Sequence, residues 1–187
     1  VNPLNGKQSG LHTGKLSEMT SFDQVLEAYK RQSDYFVQWH ISLNNMAEYF
    51  TQQLLPLPAL SVTLDNCMES GKDATAGGAK YNGCGSAVIG CGTVANSLAA
   101  IKWAVFDKKV CTAKEFYDAW MANWEGHEEL RQRIITQAPH YGNGFEETDR
   151  LASWAMDVYA QKYNSGSFIR GNLKAGLFSV SGHIPMG

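Results

Sequence analysis

The sequence lacks a long apolar run, a strong charge imbalance and an export signal. No uninterrupted apolar stretch approaches the roughly 20 residues that span a bilayer, so we expect no membrane helix. The formal net charge is only -2, which gives no electrostatic reason to expect nucleic acid or an anionic membrane as a partner. The first residues are polar, without a basic-then-apolar layout and without an initiator Met, and we therefore expect a processed or truncated start.

Cysteines are few and lack metal-binding spacing. The four are Cys67, Cys84, Cys91 and Cys111, with no C-x-x-C pair among them and no histidine at zinc-finger spacing. Because the chain has no export signal, free thiols are expected more than disulfides. The prediction is buried or loop thiols, with no metal site in this chain.

Helical periodicity covers most of the sequence. Apolar residues recur at spacings of three, four and seven from Phe22 to Leu54, which predicts a helix of about nine turns. Shorter helices are predicted at 59–70, 94–107, 113–124, 127–137 and 145–163. The segment 71–93 holds seven glycines, and we predict a long structured loop there.

One strand is predicted, at 176–182, where the sequence has β character. A single strand leaves its backbone groups unpaired, so its neighbours are expected outside this chain or in a second copy. The sequence therefore predicts a mostly helical chain with one or two strands.

Two motifs carry a resemblance to a known family. Residues 71–82 read G-K-D-A-T-A-G-G-A-K-Y-N, and residues 95–107 read A-N-S-L-A-A-I-K-W-A-V-F-D. They are similar to the pattern G-K-D-x-T-x-G-G-A-K-Y-N and D-S-L-A-A-I-K-x-x-V-F-D of the glycyl radical enzymes, the pyruvate formate-lyase-like family. Asn96 stands where the family usually has aspartate, and His140 where P-K-Y-G-N usually has lysine. These differences leave the subfamily open. The G-G-A-K-Y-N and L-A-A-I-K forms nevertheless resemble the non-pyruvate branch, which includes glycerol and diol dehydratases, choline lyase, hydroxyproline dehydratase and arylacetate decarboxylases.

The resemblance extends over nearly the whole chain and implies a fold. Residues 1–187 would be part of a single pyruvate formate-lyase-like barrel domain, a largely helical portion of the ten-stranded α/β barrel of glycyl radical enzymes. The catalytic cysteine loop (G-C-x-E) and the C-terminal glycyl radical domain (R-V-x-G-[FWY]) are not recognised here, since residues 169–172 do not fit the latter pattern. We therefore expect an interior fragment that is inactive alone.

The resemblance also implies a chemistry. Family members are lyases or dehydratases that cleave C–C, C–O, C–N or C–S bonds through thiyl and glycyl radicals. The parent enzyme would carry an organic glycyl radical installed by an activase that uses S-adenosylmethionine and an iron–sulfur cluster; no cofactor is expected in this chain. The expected partners are the remaining segments of the same enzyme, the activase and a small-molecule substrate. The parent is expected to be a cytoplasmic homo-oligomer, and the motifs do not identify its substrate.

Candidate substrate-binding residues lie in the closing segment of the chain. In the family, the corresponding strand faces the substrate cavity, so the candidates are Phe178, Ser179, Val180 and Ser181. Only one parity of an extended strand points to a given side. The sequence therefore predicts that two of the four side chains face the cavity.

No catalytic residue is assigned from the sequence. Cys67-Met68-Glu69 matches the family's C-x-E run just before G-G-A-K-Y-N, which is not catalytic, and not the G-C-x-E loop of the radical cysteine. Cys67 and Glu69 are therefore only secondary candidates for a cysteine and its neighbouring acid or base.

Two functions from other classes stay open. Gly90-x-Gly92-x-x-Ala95 follows a short apolar run and opens a helix, which fits the dinucleotide-binding fingerprint, although no βαβ continuation follows. Tight NAD binding would support such a module. The other alternative is a non-catalytic partner in a split barrel, which predicts stable association with a separate chain that supplies the cysteine and glycine loops.

Overall fold

The computed structural model describes residues 4–168 and 170–177, and the chain folds as two compact units. The first unit comprises residues 1–35 and 90–158, and the second comprises residues 36–89 and 159–187. Within the described ranges, no helix is both long and apolar enough to cross a membrane.

Helices build the first unit. Their bounds are α1 (Phe22–Leu54, shared with the second unit), α4 (Cys91–Ile101), a π-helical turn (Lys102–Asp107), α5 (Ala113–Met121), α6 (Glu128–Gln137) and α7 (Glu146–Asn164, shared with the second unit). The core of this unit consists of buried side chains from these helices and the preceding segment: Leu16, Val25, Leu98, Ala99, Ala104, Phe116, Ile134, Ala138 and Leu151. The helices predicted for this part of the chain are confirmed, although α4 begins three residues earlier than predicted.

The second unit contains a three-stranded sheet in the order β1–β3–β2. The strands are β1 (Cys84–Val88), β2 (Ser167–Phe168) and β3 (Gly171–Leu177). β1 and β3 are parallel, and β2 pairs with β3 in the antiparallel direction. The buried core beside the sheet consists of Val37, Ile41, Tyr163, Phe168 and Leu173.

Two short helices precede the sheet, where the sequence predicts one helix over 59–70. They are α2 (Pro58–Ser61) and α3 (Cys67–Ser70). Asn66 separates them in the left-handed conformation, with a φ of +73°, so a continuous helix is not possible across that position. Gly71 ends α3 in the same conformation, as its position after the predicted helix indicated.

The prediction about the strand's neighbours was wrong. β3 begins at Gly171, and its parallel neighbour β1 comes from this same chain, within the segment predicted as loop. β1 escaped detection because C-G-S-A-V contains a glycine and only one β-branched residue, so its strand propensity is low. Among the described residues, far more lie in helices than in β1, β2 and β3, so the largely helical character expected for this chain is confirmed. Residues 178–182 of the predicted strand lie outside the described residues.

The G-G-A-K-Y-N loop is closed by a backbone approach that only glycine permits. A Cβ atom on Gly78 would lie 2.0 Å from the carbonyl oxygen of Lys72, so no side chain fits there. The carbonyl of Gly78 accepts a hydrogen bond from Nδ2 of Asn66 at 2.9 Å. The role of this glycine is therefore architectural.

Side-chain and backbone hydrogen bonds complete the same loop. Nδ2 of Asn82 donates to the carbonyl of Gly77 at 3.1 Å and also to that of Ala79. The backbone N–H of Lys80 donates to the carbonyl of Asp65 at 2.9 Å. These bonds fix the chain immediately before β1, and they account for the asparagine that ends the motif.

Asp73 organises the entrance to this loop. Its carboxylate accepts hydrogen bonds from the backbone N–H and the hydroxyl of Thr75, from the hydroxyl of Ser61 and from the N–H of Leu57. These donors, with the Thr75 hydroxyl first, lower the pKa of Asp73 well below its usual range. The aspartate of the G-K-D motif is therefore held as an ionised cap.

Candidate functional site

The sheet of the second unit has two chemically different faces. One face carries Cys84, Ser86, Leu173 and Ala175, which are buried or half-buried. The opposite face, which we call the open face, is exposed and carries the following residues: Gly85, Ala87, Lys174 and Gly176. Because three of these four have no side chain or only a methyl group, the open face leaves room for another molecule or element beside the paired strands.

The register of the two main strands brings like faces together. Gly85 is opposite Lys174, and Ala87 is opposite Gly176. The open face is therefore continuous across both strands, and it runs toward the end of β3, after which the chain continues into the predicted substrate-binding segment.

A polar network lies behind the sheet, on the buried face. The hydroxyls of Ser86 and Tyr159 are 2.8 Å apart, and the Tyr159 hydroxyl lies 3.1 Å from Nδ1 of His40 on α1. Nδ2 of Asn44 donates to the hydroxyl of Tyr163 at 3.1 Å, and the rings of Tyr159 and Tyr163 stack at a centroid distance of 5.5 Å. Burial raises the pKa of both tyrosines, so both stay neutral phenols at neutral pH.

An ion pair lies beside Cys84, on the same face of the sheet. Nε and a terminal nitrogen of Arg170, in the turn between β2 and β3, both donate to the carboxylate of Glu48 on α1. The thiol of Cys84, the first residue of β1, lies 3.7 Å from the same carboxylate and donates to it. Burial and then the Glu48 charge raise the pKa of Cys84, so this cysteine is a thiol and not a reactive thiolate.

Of the predicted site residues, Cys67 and Glu69 lie among the described residues. Cys67 begins α3 with its side chain buried (3% exposed), and Glu69, two residues later on that helix, is exposed. Phe178, Ser179, Val180 and Ser181 lie outside the described residues.

Sequence reasoning does not predict the buried polar network as a whole. The position of His40 on the apolar face of α1 predicts a hydrogen-bonded core histidine. The structure confirms the hydrogen bond, to Tyr159, and shows a half-buried side chain. Glu48 and Arg170 carry no local signal, because the two partners stand 122 positions apart in the chain. The sequence indicates this network only through two polar residues in the second half of α1, Asn44 and Glu48.

The glycines of the dinucleotide fingerprint have structural positions in this fold, one conformational and one beside an aromatic ring. Gly90 caps α4 with a φ of +85°, and a Cβ on Gly92 would lie 3.4 Å from the ring of Tyr141. Ala95 is fully buried and packs with Cys91 and Ala152. The parallel neighbour of β1 is β3, which follows only after α4 to α7, so the topology is not that of a βαβ nucleotide-binding unit.

The four cysteines, Cys67, Cys84, Cys91 and Cys111, are all free thiols. Cys67 and Cys91 are buried, and the other two are half-buried. Among the described residues, no group of three or more His, Cys, Asp and Glu side chains is placed to hold a metal ion.

The chain is similar to known proteins over its whole length. The family model described as pyruvate formate lyase-like matches residues 1–187. The (2S)-3-sulfopropanediol dehydratase of Klebsiella oxytoca is 36% identical over 184 residues, which are 97% of this chain and 22% of that protein.

Solved structures give the same result. Hydroxyproline dehydratase from Clostridioides difficile, with trans-4-hydroxy-L-proline bound, matches with a TM-score of 0.91 at 31% identity, covering 99% of this chain and 24% of that one. The glycerol-bound B12-independent glycerol dehydratase from Clostridium butyricum matches with a TM-score of 0.88 at 35% identity, covering 93% of this chain and 22% of that one. The chain thus spans between a fifth and a quarter of the length of these relatives. Its helices and small sheet correspond to part of their α/β barrel, and the chain belongs to the pyruvate formate lyase-like family of glycyl radical enzymes.

Proposed function

We propose that this chain forms part of the substrate-cavity wall of a glycyl radical dehydratase or lyase. The observation that carries the proposal is the family match over residues 1–187, together with relatives named as dehydratases. The open face of the sheet supports it, because Gly85, Ala87 and Gly176 leave space for a small molecule beside Lys174.

The proposal assigns the substrate contacts to Phe178, Ser179, Val180 and Ser181, which lie outside the described residues. The assignment rests on the family resemblance, in which the corresponding strand faces the substrate cavity. Only one parity of an extended strand points to a given side, so two of the four side chains would contact the substrate.

Radical generation is assigned to other parts of the enzyme. The glycyl radical, installed by an activase that uses S-adenosylmethionine and an iron–sulfur cluster, would supply hydrogen-atom abstraction through a cysteine in the barrel. In this proposal residues 1–187 are part of one barrel domain, and the cysteine loop and glycyl radical domain are contributed by the remaining segments. The proposal gives Cys67 no part in the radical chemistry, because its side chain is buried while that of Glu69 is exposed.

The proposed setting follows from the same family. The parent enzyme would be a homo-oligomer in an anaerobic cytoplasm, where the radical is protected from oxygen. The substrate would be a small polar molecule of the kind the relatives' names give, such as glycerol, hydroxyproline or a sulfonated propanediol.

The test is electron paramagnetic resonance of the parent enzyme, prepared without oxygen and treated with an activase and S-adenosylmethionine. We expect a glycyl radical signal and conversion of one of these three probes. Cys67→Ser is expected to retain both. Absence of a radical in an intact, fully activated preparation would overturn the proposal, and native mass spectrometry of the same sample separates one long chain from a split barrel.

A further inference from the structure

Arg170 and Glu48 form an ion pair at the point where β3 begins. Two guanidinium nitrogens of Arg170 donate to the two carboxylate oxygens of Glu48, in the fork geometry that is stronger and more directional than a single contact. The Glu48 side chain is only 14% exposed and that of Arg170 32% exposed. Solvent therefore screens this pair less than an exposed ion pair. Removal of either partner would leave the charge of the other partly buried and without its counter-ion.

The same carboxylate reaches both parallel strands. Arg170 directly precedes β3, and Cys84, which donates its thiol to Glu48, is the first residue of β1. Cys84 is also the register partner of Leu173, the most buried residue of β3. Glu48 thus holds the beginnings of both strands against one turn of α1.

Two other hydrogen bonds of these strands lie farther along. Ser86 is bound to Tyr159, and the backbone N–H of Ala175 donates to Oδ1 of Asn164 at 2.7 Å. These bonds hold the middle of each strand. At the start of the strands, Glu48 supplies the charged, directional contact.

We infer that Glu48 is a positioning residue that, through Arg170 and Cys84, fixes the parallel register of β1 and β3 and thereby the open face that leads to the proposed substrate contacts. The part of this inference that concerns substrate rests on the proposed function. The part that concerns the strands does not.

The first test measures the strands directly. Hydrogen–deuterium exchange is followed by mass spectrometry in the parent enzyme carrying Glu48→Gln, which keeps the side-chain shape and removes the charge. We expect peptides covering β1 and β3 to exchange about tenfold faster, while peptides of α1 and α7 keep their protection. Arg170→Lys, which keeps the charge and loses the fork, should give a smaller change. Asp118→Asn, in the exposed Lys114–Asp118 pair of α5, is the matched control and should match the unmodified enzyme.

Two results would overturn the inference: unchanged exchange in β1 and β3, or equal acceleration in every peptide of the second unit, which would indicate a general stabilising role. If Glu48→Gln does not fold, Arg170→Lys is judged by the same criteria. The exchange result holds whether or not the enzyme is active.

The second test applies when the activated parent shows a glycyl radical. Glu48→Gln is then expected to raise KM for the converted probe about tenfold, with the radical yield per chain unchanged and partial recovery in Glu48→Asp. An unchanged KM with an unchanged kcat would overturn the link to the substrate site. Absence of a radical in the unmodified enzyme would instead count against the proposed function, and the exchange data would still decide the role of Glu48.

Discussion

At the scale of residues, the conformation of the G-G-A-K-Y-N loop depends on the absence of a side chain at Gly78. The position of Gly78 against the Lys72 carbonyl leaves no room for a side chain, whereas nothing lies within 4 Å of a Cβ built on Gly83, just after the motif. Gly78 is therefore required for steric reasons, whereas the position of Gly83 has space for a side chain.

Gly78→Ala is expected to lower the free energy of unfolding by roughly 3 kcal/mol, because the backbone must shift to admit the methyl group. Urea denaturation of the two variants measures this effect. Gly83→Ala is the control and should change the free energy by less than about 0.5 kcal/mol. Equal losses at both positions would contradict the steric explanation.

Thiol ionisation provides a second test at this scale. Burial, followed by the neighbouring Glu115, raises the pKa of Cys111 above its ordinary value of 9.0, and burial also raises that of Cys91. The unfolded thiol then loses its proton at lower pH than the folded one. The contribution of such a buried thiol to the free energy of unfolding is fully present below the pKa of the unfolded state, and it is lost as pH rises through the pKa of the folded state.

We therefore expect alkylation of Cys111 in the folded chain to rise at a higher pH than alkylation of the same residue in urea. Iodoacetamide labelling with peptide mass spectrometry at a series of pH values checks this. Coincident pH profiles in the two states would show that burial does not control this thiol.

At the scale of elements, the second half of α1 has an unusual distribution of side chains. Leu43, Met46, Phe50 and Leu54, at spacings of three and four, form an apolar stripe in which each residue is more than half exposed. Ile41, on another side of the helix, is buried in the core of the second unit. The helix thus has one apolar face in the core and another in contact with solvent.

Leu43→Gln with Phe50→Gln is expected to reduce the binding of a hydrophobic dye to the chain and to leave the free energy of unfolding within about 0.5 kcal/mol, because these side chains are exposed. Ile41→Ala is the contrasting variant, with an expected loss of about 2–5 kcal/mol and no reduction in dye binding. Dye fluorescence and urea denaturation give both quantities. A large loss of stability in the stripe variant would contradict its exposure.

The elements that sequence reasoning identifies are those with a local signal. The period of apolar residues along α1 and α7 indicates both helices, and the Thr112–Glu115 capping box is present at the start of α5. β1 has no such signal, because a strand of five residues rich in small side chains is defined by its partner. The bond between His40 and Tyr159 joins residues 119 positions apart, so nothing near either residue predicts the partner. Family resemblance supplies the fold where local patterns do not.

At the scale of the whole molecule, the activity that we expect of this chain follows from the share of its relatives that it covers. The chain matches its relatives over nearly its entire length, yet covers less than a quarter of each of them. The folding of this chain can therefore be measured separately from the radical chemistry that is proposed for the longer enzyme.

The 187-residue chain, treated without oxygen with an activase and S-adenosylmethionine, is expected to show no glycyl radical and no turnover of glycerol or trans-4-hydroxy-L-proline. Circular dichroism of the same sample, with a largely helical spectrum, controls for folding. A glycyl radical on this chain alone would overturn the assignment of the radical loop to other segments of the enzyme.

The pairing of β1 with β3 has a consequence for how the chain is synthesised. These neighbouring strands are separated in the sequence by all of α4 to α7, so β1 leaves the ribosome well before its partner exists. Non-local strand pairing closes a long loop, and it is slow compared with the formation of helices. The sheet is therefore expected to form last, and an unpaired β1 would be a transient target for chaperones until the end of β3 has been translated.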